Sequence, residues 1–290
     1  MGAKSQLQRS IYQVLKSNRD GSYATQNDRK LMLFRFAEDL VCLGFKLRDI
    51  HGLKQKHISA VIDFWKSKNL SAGTLKNRTA ALRHLCEKIN KSNVIADNTQ
   101  LAIKKRVYVP RGNRAIHNPE FSKISNKYVR ISLELQRVFG LRREESLKIR
   151  PWKADKEKWL YLQDSWCKGG RARSIPILTE EQRYWLDQAK ALVPHKDHSL
   201  IPQEKSYIQQ RYVYDKQVRR AGLKNLHGLR HAYAQKRYKE LTGWDAPING
   251  GRQSKQLTED QKQQDFCARI VLTEELGHGR EQITVNYLGR

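Results

Sequence analysis

The chain has 290 residues with 56 Lys and Arg against 29 Asp and Glu, so its formal net charge is +27. Hydrophobic residues make up 39% of the chain, which is enough for a folded core and excludes a disordered basic tail. No stretch approaches the ~18 consecutive apolar residues of a membrane-spanning helix. The first residues also lack the apolar stretch of a signal peptide. We therefore expect an intracellular protein, cytoplasmic and nucleoid-associated, with no membrane partner.

The positive charge is spread along the chain. Residues 1–112 carry a net charge of +14 and residues 113–290 carry +13. The length favours two modest domains, and both are expected to face one polyanion. Neutralisation of phosphates supplies most sequence-independent affinity for nucleic acid, so this charge distribution favours nucleic-acid binding.

The cysteines indicate neither a zinc site nor a disulfide framework. Cys42, Cys86, Cys167 and Cys267 are far apart, without a C-x-x-C pair or a histidine at ligand spacing. We expect buried free thiols and no bound metal.

The first part of the chain has a helical period. Apolar residues recur on four successive segments, which predicts a small all-α bundle, with these positions on its helices: Leu7, Ile11, Leu15, Leu31, Phe34, Leu43, Ile58, Ile62, Trp65, Leu75, Leu82, Leu85 and Ile89. The period is lost over residues 91–118. This segment is interpreted as a basic connector, either merely solvated or laid along a duplex backbone. Its cations are Lys104, Lys105, Arg106, Arg111 and Arg114.

The second part is predicted to be mainly helical with a small antiparallel sheet. Residues 120–148 have a helical pattern, and helices resume near Thr179. Between them, residues 159–162 and the alternating run from Arg171 to Ile177 predict a β-hairpin, with Lys168 at its turn. The expected domains are 1–110, helical, and 119–290, mixed.

Four short motifs follow one another in this second part: GLRREES at 140–146, CKGGRARSIPI at 167–177, HGLRHAYA at 227–234 and LGHGREQITVNYLG at 276–289. In this order they resemble the phage-integrase family of tyrosine recombinases, whose pattern is R-x-x-E, a hairpin lysine, H-x-x-R, a later His or Trp, and a tyrosine nine residues further on. The resemblance places the catalytic residues at Arg142, Lys168, His227, Arg230, His278 and Tyr287, with Glu145 in support. It also implies that residues 1–110 are the family's core-binding domain.

The resemblance implies a role for each group. Arg142 and Arg230 would hold the non-bridging oxygens of the phosphate under attack. Tyr287 would be the nucleophile and His227 the base that accepts its proton, while Lys168 would protonate the leaving 5′-oxygen. The product would be a 3′-phosphotyrosyl bond. Because this bond conserves the energy of the phosphodiester, no cofactor is expected; the sequence also lacks a G-x-x-x-x-G-K-[ST] loop.

Each residue alone has a structural interpretation. Arg142 or Glu145 could be a helix-surface charge, Lys168 a turn residue and Tyr287 a packing residue. Their joint occurrence in family order favours catalysis. His231, beside the H-x-x-R motif, is expected to be structural or near a phosphate and is left outside the catalytic set.

The sequence departs from the family pattern in two places. Arg230 and His278 are widely separated, and residues 243–265 are polar and predicted to form an insertion loop. The chain ends three residues after Tyr287, so subunits are expected to be linked by the Tyr287 helix itself or by the insertion. No arm-binding domain is expected before the helical bundle.

The predicted function is a site-specific recombinase or integrase of a mobile element. Its partners would be a double-stranded recombination site, three further copies in a tetramer on DNA, and an accessory directionality factor; the free protein would be a monomer or weak dimer. Contacts to DNA are predicted from Lys76, Arg78, Arg83, Lys104, Lys105 and Arg106. The alternatives are Xer-like dimer resolution, an inactive DNA-binding relative, and a type IB topoisomerase, a family that usually has lysine at the position of His227.

Overall fold

A computed structural model describes residues 2–106 and 112–290. The chain forms two compact units, Met1–Val107 (unit 1) and Tyr108–Arg290 (unit 2). Within the described ranges, none of the helices combines the length and the apolar character that a membrane crossing demands.

Unit 1 is a four-helix bundle, as the helical period predicts. Its helices are α1 (Ala3–Ser17), α2 (Tyr23–Cys42), α3 (Gln55–Ser67) and α4 (Ala72–Lys88). Two of them begin at a serine whose hydroxyl accepts a backbone hydrogen bond: Ser22 before α2 and Ser71 before α4. Such caps satisfy amide donors that the first turn of a helix leaves without a partner.

The centre of the bundle is aromatic. Phe36 and Trp65 meet edge to face with ring centroids 6.5 Å apart, and both side chains are buried. The indole Nε1 of Trp65 donates to Asp39 Oδ2 at 2.7 Å, which satisfies its polar atom. On α2, the core-facing positions include Leu33 rather than Leu31, which is exposed.

Part of the predicted connector belongs to unit 1. Ile95 and Ile103 are buried in the core of the bundle, and Arg83 on α4 donates to the carbonyl of Ala96 at 2.8 Å. The segment is thus less solvated than its polar sequence indicates, because these two isoleucines anchor it. Residues 107–111, including Arg111, lie outside the described residues.

Unit 2 combines helices with one antiparallel sheet, as expected from the sequence. The strands have the order β1-β2-β3, with Leu160 of β2 opposite Ile175 of β3. Their bounds are β1 (Asp155–Lys156), β2 (Trp159–Leu162) and β3 (Arg173–Pro176). The helices are α5 (Lys127–Phe139), α6 (Arg143–Lys148), α7 (Pro151–Ala154), α8 (Glu180–Leu192), α9 (Tyr207–Arg220), α10 (Gly228–Thr242), α11 (Glu259–Glu275) and α12 (Val285–Leu288).

Helix α5 is the central element of unit 2. One side of it, with Leu135 and Phe139, packs into the larger core, while Val129 and Leu133 pack into a second core. The helix ends at Gly140, which has a φ of 62°. A Cβ on this residue would lie 2.5 Å from Cδ1 of Tyr233, so both the turn and the close approach require glycine.

The segment predicted as an insertion loop is partly helical. Residues 259–265 form the first turns of α11, which begins after the cap residue Thr258. In the irregular remainder, Ala246 and Leu257 are buried. The prediction of a loop over 243–265 is therefore wrong for its second part, because Thr258 and Gln261 form a capping box that starts a helix.

Candidate active site

The buried carboxylate of Glu145 organises one side of the site. The turn at Gly140 ends α5 and makes Arg142 the N-cap residue of α6. Glu145 accepts the backbone N–H of Arg142 at 2.7 Å and its Nη1 at 2.6 Å. Glu145 is fully buried, so these two hydrogen bonds from Arg142 fix the direction of its guanidinium group.

A second arginine, which the motifs do not include, binds the same carboxylate. Arg173 on β3 donates Nη1 to Glu145 Oε1 at 2.9 Å and Nη2 to Oε2 at 2.8 Å. The sequence contained a signal for it: Arg173 has the same parity as Ile175, whose side chain is buried, so it lies on the apolar face of the strand.

Arg230 is the most deeply buried cation of the site, with 1% of its surface exposed. Its Nη1 donates to the carbonyl of Gly140 at 2.6 Å and its Nη2 to the carbonyl of Leu276. These contacts tie α10 to the end of α5 and to the end of α11. Burial lowers the pKa of Arg230 to about 10, so it remains charged at neutral pH.

Tyr287 lies against Arg230 and His278 within the same unit. Its hydroxyl is 3.3 Å from Arg230 Nε and 3.2 Å from His278 Nε2. Tyr287 is 5% exposed, and its backbone carbonyl accepts a hydrogen bond from Gln235 on α10. The short helix α12 is thus held in place by contacts of both the side chain and the main chain of Tyr287.

Two further imidazoles come from the start of α10. His227 is the N-cap residue and is exposed, whereas His231, one turn later, is buried. The ring of His231 is 4.7 Å from the ring of Tyr287 between centroids, and that of His227 is 6.2 Å away. His231, which is outside the predicted catalytic set, is therefore nearer to Tyr287 than His227, which is inside it. The i, i+4 spacing of the two histidines is the sequence signal that they share one face of α10.

The histidines of the site are held neutral at pH 7. Burial, then Arg230, Arg142 and other cations, lowers the pKa of His278 to about 3. Burial also lowers the pKa of His231 to about 4, and desolvation followed by Arg230 lowers that of His227. A lowered pKa leaves an imidazole unprotonated and able to accept a proton, but it also makes the ring a weaker base.

The carboxylate of Glu145 is held ionised. Burial alone would raise its pKa, but Arg173, followed by Arg142 and Arg230, lowers the value to about 2. The cluster therefore contains three guanidinium groups around one carboxylate. Its excess positive charge suits a phosphate and the additional negative charge that nucleophilic attack places on it.

Lys168 lies apart from this cluster of contacts. It is exposed in the turn between β2 and β3, beside Gly169 and Gly170, which both have positive φ. It makes no ion pair within the part of the chain that the structure describes. The turn is longer than a tight hairpin, because residues 164–166 form a 3₁₀ turn within it.

The predicted DNA-contacting residues of unit 1 divide into two kinds. Arg78 stacks on Trp65, with Cζ 4.8 Å from the ring centroid, and Arg83 binds the main chain of Ala96. Both thus stabilise unit 1 itself. The others remain at the surface or half-buried: Lys76, Lys104, Lys105 and Arg106.

Residues 2–106 and 112–290 contain no group of three or more His, Cys, Asp or Glu side chains placed to hold a metal ion. All four cysteines are free. Cys86 and Cys167 are buried, but Cys42 and Cys267 are exposed, so the expectation of buried thiols is wrong for these two. Both lie on the outer faces of helices that pack through other positions.

Comparisons with known proteins agree with this architecture. Residues 4–95 match the family model described as phage integrase, N-terminal, and residues 106–236 match the model described as integrase. No curated protein matches the sequence.

Several solved structures have the same fold. A lambda integrase dimer bound to a COC′ core site is 18% identical, with a TM-score of 0.57 over 98% of this chain and 76% of that one. XerH site-specific recombinase bound to a palindromic difH substrate is 21% identical, with a TM-score of 0.59 over 98% and 80%. The Tn1549 transposon integrase in complex with circular intermediate DNA is 14% identical, with a TM-score of 0.53 over 100% and 96%. The two family models together cover most of the chain, and it belongs to the phage integrase family of tyrosine recombinases.

Proposed function

We propose that this chain is a site-specific DNA recombinase that cleaves and rejoins DNA through a covalent bond between Tyr287 and a 3′-phosphate. The observation that carries the proposal is the position of the Tyr287 hydroxyl, within hydrogen-bond distance of both Arg230 and His278. A phenol needs a cationic setting or a base to attack at neutral pH, and this hydroxyl has both nearby.

In the cleavage step, Oη of Tyr287 attacks the phosphorus of the scissile phosphodiester and the P–O5′ bond breaks. Arg142 and Arg230 bind the non-bridging oxygens, where negative charge develops. Each Nη of Arg230 donates to one main-chain carbonyl, so a phosphate would be bound by a remaining N–H of this group, or by Nε in place of the Tyr287 hydroxyl.

Two proton transfers accompany this step. His227 is the proposed acceptor of the Tyr287 proton; it lies at the start of α10, with its ring centroid 6.2 Å from that of Tyr287. His278 is the side chain that contacts the hydroxyl directly and holds it in place. Lys168 protonates O5′, and its exposed, glycine-flanked turn suits a group that must reach the DNA.

Rejoining reverses the same transfers. A 5′-hydroxyl attacks the phosphotyrosyl phosphorus, Tyr287 leaves and recovers a proton, and the phosphodiester forms. Because Tyr287 packs against Arg230 of its own unit, we propose cleavage in cis, in which each chain cuts with its own tyrosine.

Double-stranded DNA is the proposed partner, bound by the catalytic unit 2 and by unit 1 as the core-binding domain. A net charge of +27 supports strong phosphate contact. Full recombination would use a tetramer on DNA. Integration or excision of a mobile element is the role we propose, with dimer resolution as the alternative, and His227 favours recombination over type IB topoisomerase activity.

The test uses nicked duplexes that tile the DNA flanking the chain's own gene. A nick beside the cleavage site releases a short 5′-hydroxyl oligonucleotide, so the covalent intermediate accumulates and survives denaturant. We expect an adduct with the wild type and with Tyr212→Phe, whose tyrosine is exposed on α9, and none with Tyr287→Phe. DNA binding by the wild type without any adduct would contradict the proposal and indicate a DNA-binding protein that does not cleave.

A further inference from the structure

Arg173 directs most of its guanidinium N–H groups to other atoms of the protein. Besides the two hydrogen bonds to Glu145, its Nε donates to the carbonyl of Glu275 at 2.8 Å and its Nη1 lies 3.3 Å from Sγ of Cys167. The residue is 8% exposed. Four of its five N–H donors are therefore directed at protein atoms, so we expect its main effect on the reaction to pass through other side chains.

These contacts reach three segments that carry residues of the proposed site. Glu145 holds Arg142 at the start of α6. The carbonyl of Glu275 lies at the end of α11, just before His278. Cys167 directly precedes Lys168 in the turn between β2 and β3.

The end of α11 is shaped around the Arg173 side chain. Gly277 has a φ of 62°, and a Cβ there would lie 2.9 Å from Cδ of Arg173. The chain therefore passes over this arginine at a distance that only glycine permits. Arg142 also donates to the Gly277 carbonyl at 3.4 Å, so the same turn connects both arginines.

We propose that Arg173 is a positioning residue that fixes Arg142, His278 and the Lys168 turn relative to one another. This inference rests on the recombinase function proposed above. It extends the functional set to a side chain on the strand after the lysine turn, outside the positions that the motifs identify.

The electrostatic part of the role follows from what surrounds Glu145. The groups that face it are Arg142 on its own helix, Arg173 from β3, Arg230 and His227 from α10, and Cys167 from the turn. Burial favours the protonated acid, and Arg173 is the strongest opposing influence on its pKa. Without Arg173, that pKa rises, and a protonated Glu145 holds Arg142 less firmly.

The experiment measures single-turnover adduct formation on a nicked duplex that the wild type cleaves, between pH 5 and 9, together with DNA affinity. Arg173→Gln removes the charge, and Arg173→Lys keeps it without the two-pronged geometry. Arg183→Gln is the matched control, since Arg183 also pairs with a carboxylate, Asp155, and with a main-chain carbonyl in the same unit.

We expect Arg173→Gln to form the adduct about 100-fold more slowly at pH 7.5, as for a small displacement of catalytic groups, with DNA affinity nearly unchanged. As the pH is lowered, the rate of adduct formation by Arg173→Gln should also begin to fall at a higher pH than the rate of the wild type. Arg173→Lys should recover part of the rate, and the double variant Glu145→Gln with Arg173→Gln should lose the acid-side shift because no carboxylate remains.

A merely structural role predicts a different result. Arg173→Gln would then resemble Arg183→Gln, with lower thermal stability and an unchanged rate and pH profile, and this outcome would overturn the proposal. If Arg173→Gln does not fold, the pH profile of Arg173→Lys decides: a wild-type rate and profile would overturn the positioning role. Failure of the wild type to form any adduct would instead refute the recombinase function, and the role of Arg173 would fall with it.

Discussion

The Tyr287 hydroxyl lies 3.2 Å from Nε2 of His278, nine residues earlier in the chain. A 3₁₀ turn over Glu281–Thr284 and the short helix α12 fill the interval and turn the tyrosine back toward the histidine. The spacing of nine residues between His278 and Tyr287 thus places the hydroxyl beside the imidazole. Under the proposed function, the Tyr287 hydroxyl must exchange its contacts with Arg230 and His278 when it attacks a phosphate.

The proposed acid role of Lys168 predicts rescue by a better leaving group. Lys168→Ala should cleave ordinary DNA about 100-fold or more slowly, because an alkoxide leaves poorly without a proton. A 5′-bridging phosphorothiolate releases a thiolate, which needs no such proton, so cleavage by the variant should return to near the wild-type rate. Arg142→Lys serves as the control, since it should remain slow on both substrates. Equal slowness of Lys168→Ala on both would contradict the role.

The turn at Gly140 predicts a large stability cost for one methyl group. Gly140→Ala must place a side chain at positive φ, which costs about 1–2 kcal/mol, and 2.5 Å from Tyr233, where overpacking adds about 1–3 kcal/mol. Gly222→Ala also has a positive φ but open space around it, so only the first cost applies. Denaturant unfolding of both variants measures the difference. Equal costs would show that the contact with Tyr233 is not limiting.

The sequence was sufficient for the fold class and for the order of the motifs. Helical period predicted the bundle of unit 1, and alternation with glycines predicted the sheet and the lysine turn of unit 2. Such patterns work because side-chain direction repeats with the local geometry of the backbone. The buried positions of α2 were harder to predict. Leu31 and Leu33 are both leucines, and only the packing of the bundle distinguishes the exposed one from the buried one.

The residues that surround the motif side chains were harder to predict. Local pattern places Arg173 on the apolar face of β3 and His231 one turn after His227, but it does not identify their distant partners, Glu145 and Tyr287. A buried arginine is unusual because its charge must be paired, and its partner becomes visible only when β3 and α6 are brought together. Residues 259–265 differ from the predicted loop for another reason: they are polar, as a loop would be, and the capping box at Thr258 is the local signal that a helix begins there.

The buried His231 predicts a loss of stability in mild acid. Its pKa is about 4 in the folded chain, against 6.5 for an unperturbed histidine. Below pH 6.5 the unfolded state binds a proton that the folded state does not, so stability falls as the pH decreases toward 4. At pH 5 this contribution is about 2 kcal/mol.

The measurement compares the wild type with His231→Phe, which keeps a ring beside Tyr287 but cannot titrate. The difference between their free energies of unfolding should move by about 2 kcal/mol in favour of the variant between pH 7.5 and pH 5. Chemical denaturation at both pH values gives this difference. A difference that does not depend on pH would contradict the depressed pKa of His231.

The cations of unit 1 are predicted to act in two ways. Lys104 and Lys105 are exposed, so replacing both by Ala should weaken DNA binding and reduce the slope of log affinity against log salt by about 2, with no change in melting temperature. Arg83→Ala removes a hydrogen bond to the main chain of Ala96 and should instead lower stability, by about 1.5–3 kcal/mol. Salt titration and thermal melting of both variants test the division. Unchanged DNA binding in the lysine variant would contradict it.

The central claim is that Tyr287 is the residue that becomes covalently joined to DNA. The most direct test traps the adduct on a nicked duplex, digests the DNA and protein, and locates the remaining phosphodeoxynucleotide by tandem mass spectrometry. We predict the modification on Tyr287, joined to a 3′-phosphate. A nucleotide attached to any other residue, or joined through a 5′-phosphate, would contradict the claim.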